Sequence, residues 1–472
     1  MQPAPSTLHP NILVILTDQL RRDALGCYGD PNVSTPNIDR LAQGGVCFTN
    51  ACSTYPICVP FRFTFMTGQY AHTRQVPGID WRMSPAERTL ADEFNEHGYD
   101  TMYVGKWHLF GGHGPHAFKT PVPRVHQGRW RKWFGFELRN RYFDTCCFED
   151  DDPTPHPING YQTDGLFQRV IDTLDNGTLT RPFACVLSVE APHPPREAPA
   201  AYEARWKDRP HQLPPNFLVR TEYDDQASGW SRIRDESDRE ALLHARRMYY
   251  AMIENLDWNV GRLMEALQKS GLADQTIVVL TSDHGDCIGS HAIDEKQYPF
   301  EESIGIPLLV HGPGCGIPAG GRLKPPVSTE DLFPTLLGLA GITPHNRLPG
   351  FDTSHWIRFG QPVDAGRPGI MLEFVSELRP NACFHNRPYR GFRSQRYKYT
   401  VWGSERGLEP WQFFDLESDP HELHNRIADP SCQTLIRQHH LCLRDRMRET
   451  GDHEWLAAAW DIEALNPCPI AG

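Results

Sequence analysis

Apolar residues in this chain gather in short runs that close on polar groups of one kind. "NILVILTDQ" carries an unbroken apolar stretch from Ile12 to Leu16 and then ends on Asp18 and Gln19. "TIVVLTSDHGD", residues 276–286, repeats the design and ends on Asp283 and His284. "DTMYVGKWH" and "PFACVLSVEAPH" are two further runs, ending near Lys106 and His193. Short continuous runs rich in Val, Ile and Leu predict strands buried on both faces. The stretch from about 239 to 269, with "MYYAMIENLDWNVGRLMEALQKSG", reads as a long helix stopped by Gly271. Strands alternating with helices predict an α/β fold with a mostly parallel central sheet sandwiched by helices.

The texture changes toward the carboxyl end. "VSTEDLFPTLLGLAGI" reads as the last helix of the main unit. After about Gly366, "GIMLEF", "YRGFRSQRYKYTVW" and "WQFFDL" alternate aromatic and polar residues as antiparallel strands do. The expected organisation is a catalytic unit over 1–366 and a smaller antiparallel-sheet subdomain over 367–472, placed to close one side of a cleft.

In parallel sheets, polar groups at the carboxyl ends of strands converge on one crevice. Asp18, Lys106, His193 and Asp283 all fall at such ends. A single Asp there is ordinarily a cap for the turn that follows. Two strand-end pairs of matching design favour a divalent cation held by two carboxylates, an amide oxygen and an imidazole. Oxygen-rich ligation points to Ca²⁺, with Mg²⁺ and Mn²⁺ as alternatives, rather than to a thiolate-bound metal.

Composition narrows the setting. With 47 basic against 59 acidic residues and no Lys/Arg tract, nucleic acid is not an expected partner. Thirteen cysteines in no regular framework leave at least one thiol unpaired, which suits a reducing interior. The run from Ile12 to Leu16 is too short for a signal peptide or a membrane span, so a cytoplasmic, membrane-free protein is expected. Homo-oligomerisation is left open.

"PICVPFRFTFMTGQY", residues 56–70, sets Cys58, Pro60 and Arg62 at alternate positions ahead of a Thr-Gly. The cysteine taken alone has three readings: a buried apolar residue, half of a disulfide, or the seat of chemistry. The wider sequence decides among them. Cys-x-Pro-x-Arg with the following Thr-Gly resembles the signature of the formylglycine-dependent sulfatases. "STPNIDRLAQGGVCFTNA", "GYDTMYVGKWHL", "APHPP", "LTSDHGD", "FEESIGIPLLVHGPG" and "FFDLESDPHEL" follow in that family's order and spacing. The resemblance runs from Asn11 to about Leu423.

It implies an alkaline-phosphatase-like fold and hydrolysis of a sulfate monoester, of a carbohydrate or an aryl alcohol. It also implies that a formylglycine-generating enzyme converts Cys58 to an aldehyde that hydrates to a geminal diol. One hydroxyl attacks sulfur, and the other then loses its proton to expel sulfate. By the same resemblance Asp18, Gln19, Asp283, His284 and the converted Cys58 surround the cation, and Arg62 holds the diol and the carboxylates. Lys106 sits on the nucleophile and sulfate oxygens, and His108 accepts the proton that drives elimination. His193 and Lys296 neutralise sulfate and help protonate the leaving alcohol. Many relatives carry Asp at the Gln19 position, so this chain has one anion fewer there. "GSHAIDEKQYPFEES" departs from the family's pattern before Lys296 and offers His291 as an extra pocket residue. Trp81 and the Arg/Trp-rich stretch 129–141 are expected on loops, either stacking on substrate or simply packed. The alternative enzyme is a phosphonate monoester or phosphodiester hydrolase of the same superfamily. A non-catalytic sugar-binding protein would lack site groups, and none is lacking.

Overall fold

Alternation along a single strand already splits the core in two. In β1 (Asn11–Asp18), Ile12, Val14 and Leu16 enter one apolar cluster while Leu13 and Ile15 enter another. The computed structural model describes residues 9–112, 117, 120–220, 237–360, 367–376, 388–404 and 407–452. The next strands are β2 (Gly45–Phe48), β3 (Ala51–Cys52), β4 (Asp100–Lys106), β5 (Lys132–Phe136), β6 (Thr145–Glu149), β7 (His156–Ile158) and β8 (Phe183–Pro192). They are followed by β9 (Thr276–Ser282), β10 (Leu308–His311), β11 (Gly321–Leu323) and β12 (Val327–Ser328). The main sheet has ten strands in the order β11-β2-β10-β9-β1-β8-β4-β5-β6-β7. Its central five, β9-β1-β8-β4-β5, are parallel. Antiparallel pairs finish the sheet at β10 on one side and at β6 and β7 on the other.

Helices cover both faces, as a sheet with two apolar sides requires. In chain order they are α1 (Pro36–Gln43), α2 (Cys58–Thr67), α3 (Leu90–Glu96), α4 (Gln162–Asp175), α5 (Ala200–Trp206) and α6 (Ser237–Lys269). After them come α7 (Glu301–Ile304), α8 (Thr329–Ala340), α9 (Ser354–Phe359) and α10 (Gln433–Thr450). Apolar side chains of α2, α3 and α8 join the Ile12 face, and those of α1, α4 and α6 join the Leu13 face. The long helix ends at Lys269, and Gly271 follows with φ 68°. No helix among the described residues is long and apolar enough to cross a membrane.

The carboxyl-terminal strands form the expected antiparallel sheet in the order β13 (Ile370–Phe374), β14 (Tyr389–Arg393), β15 (Tyr397–Ser404) and β16 (Gly407–Asp415). Phe374, Tyr389, Trp411 and Phe414 pack on the main core, while Phe392, Tyr399, Val401 and Phe413 pack under α10. The boundary expected near residue 366 falls outside the described residues.

Two expectations need correction. The helix α8 is not the last of the main unit, because α9 follows and buries Trp356 and Ile357. That helix is too short to show a period in sequence. The Arg/Trp-rich stretch is not a loop throughout, since Lys132–Phe136 is strand β5, parallel to β4. Trp130 and Trp133 are buried around Tyr103 and Trp107, and Trp81 meets Phe63 edge-on at 5.4 Å. Packing, not substrate stacking, accounts for these rings.

Gly105 sits within β4 at φ 101°, and a Cβ there would lie 1.9 Å from the Ser188 carbonyl oxygen. This close approach fixes how Lys106 leaves the strand. Gly105→Ala should cost about 3 kcal/mol or more, from left-handed backbone strain plus overpacking. Urea unfolding measures it, and a loss below about 1 kcal/mol would show that β4 relaxes freely at this point.

Candidate active site

Four neighbouring strands deliver the site. Asp18 ends β1, Lys106 ends β4, Asp283 directly follows β9, and His193 directly follows β8. The helix α2 points its first residue, Cys58, at these ends. Every residue of α2 is buried, so the helix is held on all sides. Pro60 lies in the first turn, where its missing N–H costs no helical hydrogen bond. Cys58 and Arg62 are four residues apart and therefore share one face. The spacing of the motif is helical geometry.

Arg62 is the hub. Its Nη2 donates to Asp18 Oδ2 at 3.3 Å and to Asp283 Oδ2 at 3.1 Å. Its Nη1 donates to the Lys106 carbonyl at 3.0 Å and to Ser188 Oγ at 2.8 Å. Lys106 Nζ donates to Asp18 Oδ2 at 2.5 Å. Cys58 Sγ lies 3.2 Å from His284 Nε2 and 3.6 Å from Asp18 Oδ1. The His284 Nδ1 atom donates to the Gly285 carbonyl at 2.9 Å, which leaves Nε2 as a lone-pair donor facing the cysteine.

Gln19 and Lys296 are joined, with Nζ donating to Oε1 at 2.5 Å. Gln19 holds a left-handed backbone at φ 68°, and its N–H donates to Asp283 Oδ1 at 3.0 Å. His108 also lies in the left-handed region at φ 58°, and its N–H is taken by the Glu137 carbonyl at 2.9 Å. Non-glycine residues held in this region are strained, and such strain collects at functional sites. His193 stands half-buried beside Asp18, Lys106 and Lys296.

Electrostatics favour an anion. Burial works to raise the Asp18 pKa, but Lys106, His193, Arg62 and His284 outweigh it and hold the carboxyl well below the usual range. Burial and then Lys296 push His193 well below its ordinary value, so it is neutral near pH 7. Burial likewise lowers His284. The Cys58 thiol is pushed up to about 12 by burial and by Asp18, so an unmodified Cys58 stays protonated.

Asp18, Cys58, Asp283 and His284 are all buried and offer ligand atoms within 4.8 Å of one another. Two carboxylates and an imidazole at this spacing fit a divalent cation. His291 does not join them. It stacks on Phe300 at 3.7 Å, and its Nε2 lies 3.0 Å from Asn216 Nδ2 and 3.5 Å from Glu302 Oε2. There Lys398, 2.5 Å from Glu422, already supplies the cation for a second buried group of His291, Glu302 and Glu422. Sequence reasoning missed Ser188 and Asp286. A polar residue inside the apolar run "VLSVE" was the signal for the first.

A crevice at the carboxyl ends of a parallel sheet, with buried acids and a surplus of cations, defines a hydrolase of anionic esters with the alkaline-phosphatase-like fold. The comparisons with known proteins narrow the class. The Sulfatase family model matches residues 10–342, and the model for the carboxyl-terminal part of N-sulphoglucosamine sulphohydrolase matches residues 289–449. The chain belongs to the sulfatase family and is a sulfuric ester hydrolase. It is 32% identical over 450 residues to an ulvan-active sulfatase of Formosa agariphila, covering 94% of this chain and 82% of that one. The structure of the Bacteroides fragilis protein yidJ, assigned as a sulfatase, matches with TM-score 0.81 and 27% identity, covering 97% and 100% of the chains. A phosphonate monoester hydrolase of Agrobacterium radiobacter matches with TM-score 0.74 and 25% identity, covering 93% and 96%.

The lowered pKa of His284 carries a pH consequence for metal-free protein. The unfolded chain takes up this proton more readily than the fold does. Stability from the neutral ring is therefore complete above its ordinary 6.5 and is lost as pH falls below it. In chelator, stability should decline from pH 6.5 downward, before carboxylates titrate. His284→Asn should flatten that decline, and an unchanged slope in the variant would assign it to other groups.

Proposed function

We propose that this sulfatase cleaves the sulfate ester of a carbohydrate through a formylglycine formed from Cys58. The single observation that supports the reading most is the placement of Cys58 at the start of α2, against Asp18 and His284, with Arg62 bridging both acids. We read Asp18, Gln19, Asp283 and His284, with the converted Cys58, as the cation's ligands, Ca²⁺ being preferred for oxygen donors. When bound, the cation supplies Lewis acidity to the nucleophile and to the sulfate oxygens. The catalytic unit is taken as 1–366, with the subdomain 367–472 beside it.

The chain's own groups then divide the work. Arg62 keeps the two carboxylates apart and aimed. Lys106, on Asp18, and Lys296, on Gln19, face the anionic ester and stabilise charge that builds on its oxygens. His193, neutral among cations, holds a proton for the leaving alcohol. One diol hydroxyl of residue 58 forms the bond to sulfur as the S–O bond to the alcohol breaks. His108 takes the proton of the other hydroxyl, the aldehyde re-forms, and sulfate leaves with the former nucleophile oxygen. A carbohydrate substrate is favoured because the ulvan-active relative covers nearly the whole chain.

Two experiments test this. Co-expression with a formylglycine-generating enzyme should raise activity in proportion to the aldehyde at position 58, read by peptide mass. Cys58→Ala should abolish turnover, and undiminished activity would end the mechanism. Separately, kcat/KM should be compared for matched aryl sulfate and aryl phosphonate esters, and sulfated oligosaccharides should be screened. His108→Ala should accumulate a residue-58 sulfate adduct, because elimination lacks its base. Preference for the phosphonate without any adduct would transfer the assignment to phosphonate hydrolysis.

A further inference from the structure

A side-chain amide has two ends of nearly equal size and opposite polarity, and its surroundings decide which end faces a site. Gln19 poses that question because its oxygen meets Lys296 while its nitrogen faces away. The nitrogen donates to Asp286 Oδ2 at 2.8 Å and, more weakly, toward Glu295 Oε2 at 3.4 Å. Asp286 is fully buried, and its other oxygen accepts the Ile288 N–H at 2.9 Å. Arg196 Nη2 donates to the same Asp286 Oδ2 at 2.7 Å, and Arg196 Nη1 reaches Asp294 Oδ1 at 3.4 Å. An unbroken chain of polar contacts therefore runs from Arg196 through Asp286 and Gln19 to Lys296.

We propose that Asp286, anchored by Arg196, is a positioning residue that forces Gln19 to present its carbonyl oxygen to Lys296 and to the nucleophile. The inference rests on the sulfatase reading of Lys296. Its physical content is a polarity rule. A carboxylate at 286 accepts only, so the Gln19 nitrogen must turn to it. Without that acceptor the amide can rotate and set its N–H₂ against the Lys296 ammonium, two donors facing each other. Arg196 comes from the segment after β8, whereas Asp294 and Glu295 directly precede Lys296 in sequence. The guanidinium thus ties the lysine's loop to the same frame.

The test exchanges the two polarities. Asp286→Asn removes the rule, and Gln19→Glu sets two carboxylates against each other at the 2.8 Å contact. Each single variant of mature enzyme should lose about tenfold to a hundredfold in kcat/KM for an aryl sulfate, as outer-shell changes do. The double variant Gln19→Glu/Asp286→Asn restores one acceptor, one donor and the net charge, and should recover to within about threefold of wild type. Bound cation after dialysis, measured by elemental analysis, should fall and return in parallel. Losses that simply add in the double variant, or singles that match wild type, would overturn the proposal. Should a single variant fail to fold, Arg196→Gln carries the test: a loss of about tenfold supports the anchor, and wild-type kinetics refute it. If wild-type enzyme turns over no sulfate ester, the sulfatase reading fails, while the cation measurement still reports on the Gln19 amide.

Discussion

Two carboxylates buried side by side, bridged by one guanidinium, set the terms for everything around them. Asp18 and Asp283 have no solvent exposure, and Arg62 reaches both from a helix that is itself buried throughout. Removing a partner from such a buried ion pair typically costs about 3–5 kcal/mol, because a charge is left uncompensated. The geometry is correspondingly strict. The same guanidinium holds the Lys106 carbonyl and Ser188, so it ties α2 to the ends of four neighbouring strands. Cys58, one turn earlier on α2, inherits its position from this tie.

The charge balance around that pair suits an anionic ester. Arg62, Lys106 and Lys296 face Asp18 and Asp283, a surplus of one cation before any metal is counted. The surplus keeps His193 neutral and supplies the attraction that a sulfate oxygen meets. A thiol held protonated by burial is a poor nucleophile in such a place. Chemistry at Cys58 thus depends on conversion to an oxygen nucleophile, which is what its motif implies.

The small sheet does more than cover a flank. The Tyr389 hydroxyl donates to the Gln297 carbonyl at 2.7 Å, next to Lys296, and Gln297 is strained at φ 89°. Arg393 pairs with Glu301 at 3.1 Å, and Lys398 pairs with Glu422 at 2.5 Å. Glu301 begins α7, whose first N–H is taken by Glu422 at 2.6 Å. The segment from Lys296 to α7 is therefore bolted to the carboxyl-terminal strands. A sheet remote in sequence helps hold a group at the centre of the site.

The sequence by itself determined the strands that matter. Apolar runs ending in Asp18, Lys106, His193 and Asp283 mark central parallel strands, because burial on both faces admits no polar residue until the strand ends. It also determined the helical pairing of Cys58 with Arg62, since a four-residue step is one turn. Sequence left the Arg/Trp-rich stretch ambiguous, because charges beside "KWFGF" hide a short buried strand whose Trp133 is only 1% exposed. It placed His291 in the pocket from proximity to Lys296, whereas the fold turns that ring onto Phe300. The orientation of the Gln19 amide, the bridge by Ser188 and the anchoring of the Lys296 loop could be decided only in three dimensions. Each depends on hydrogen bonds between residues far apart in the chain, and local periodicity carries no record of such partners.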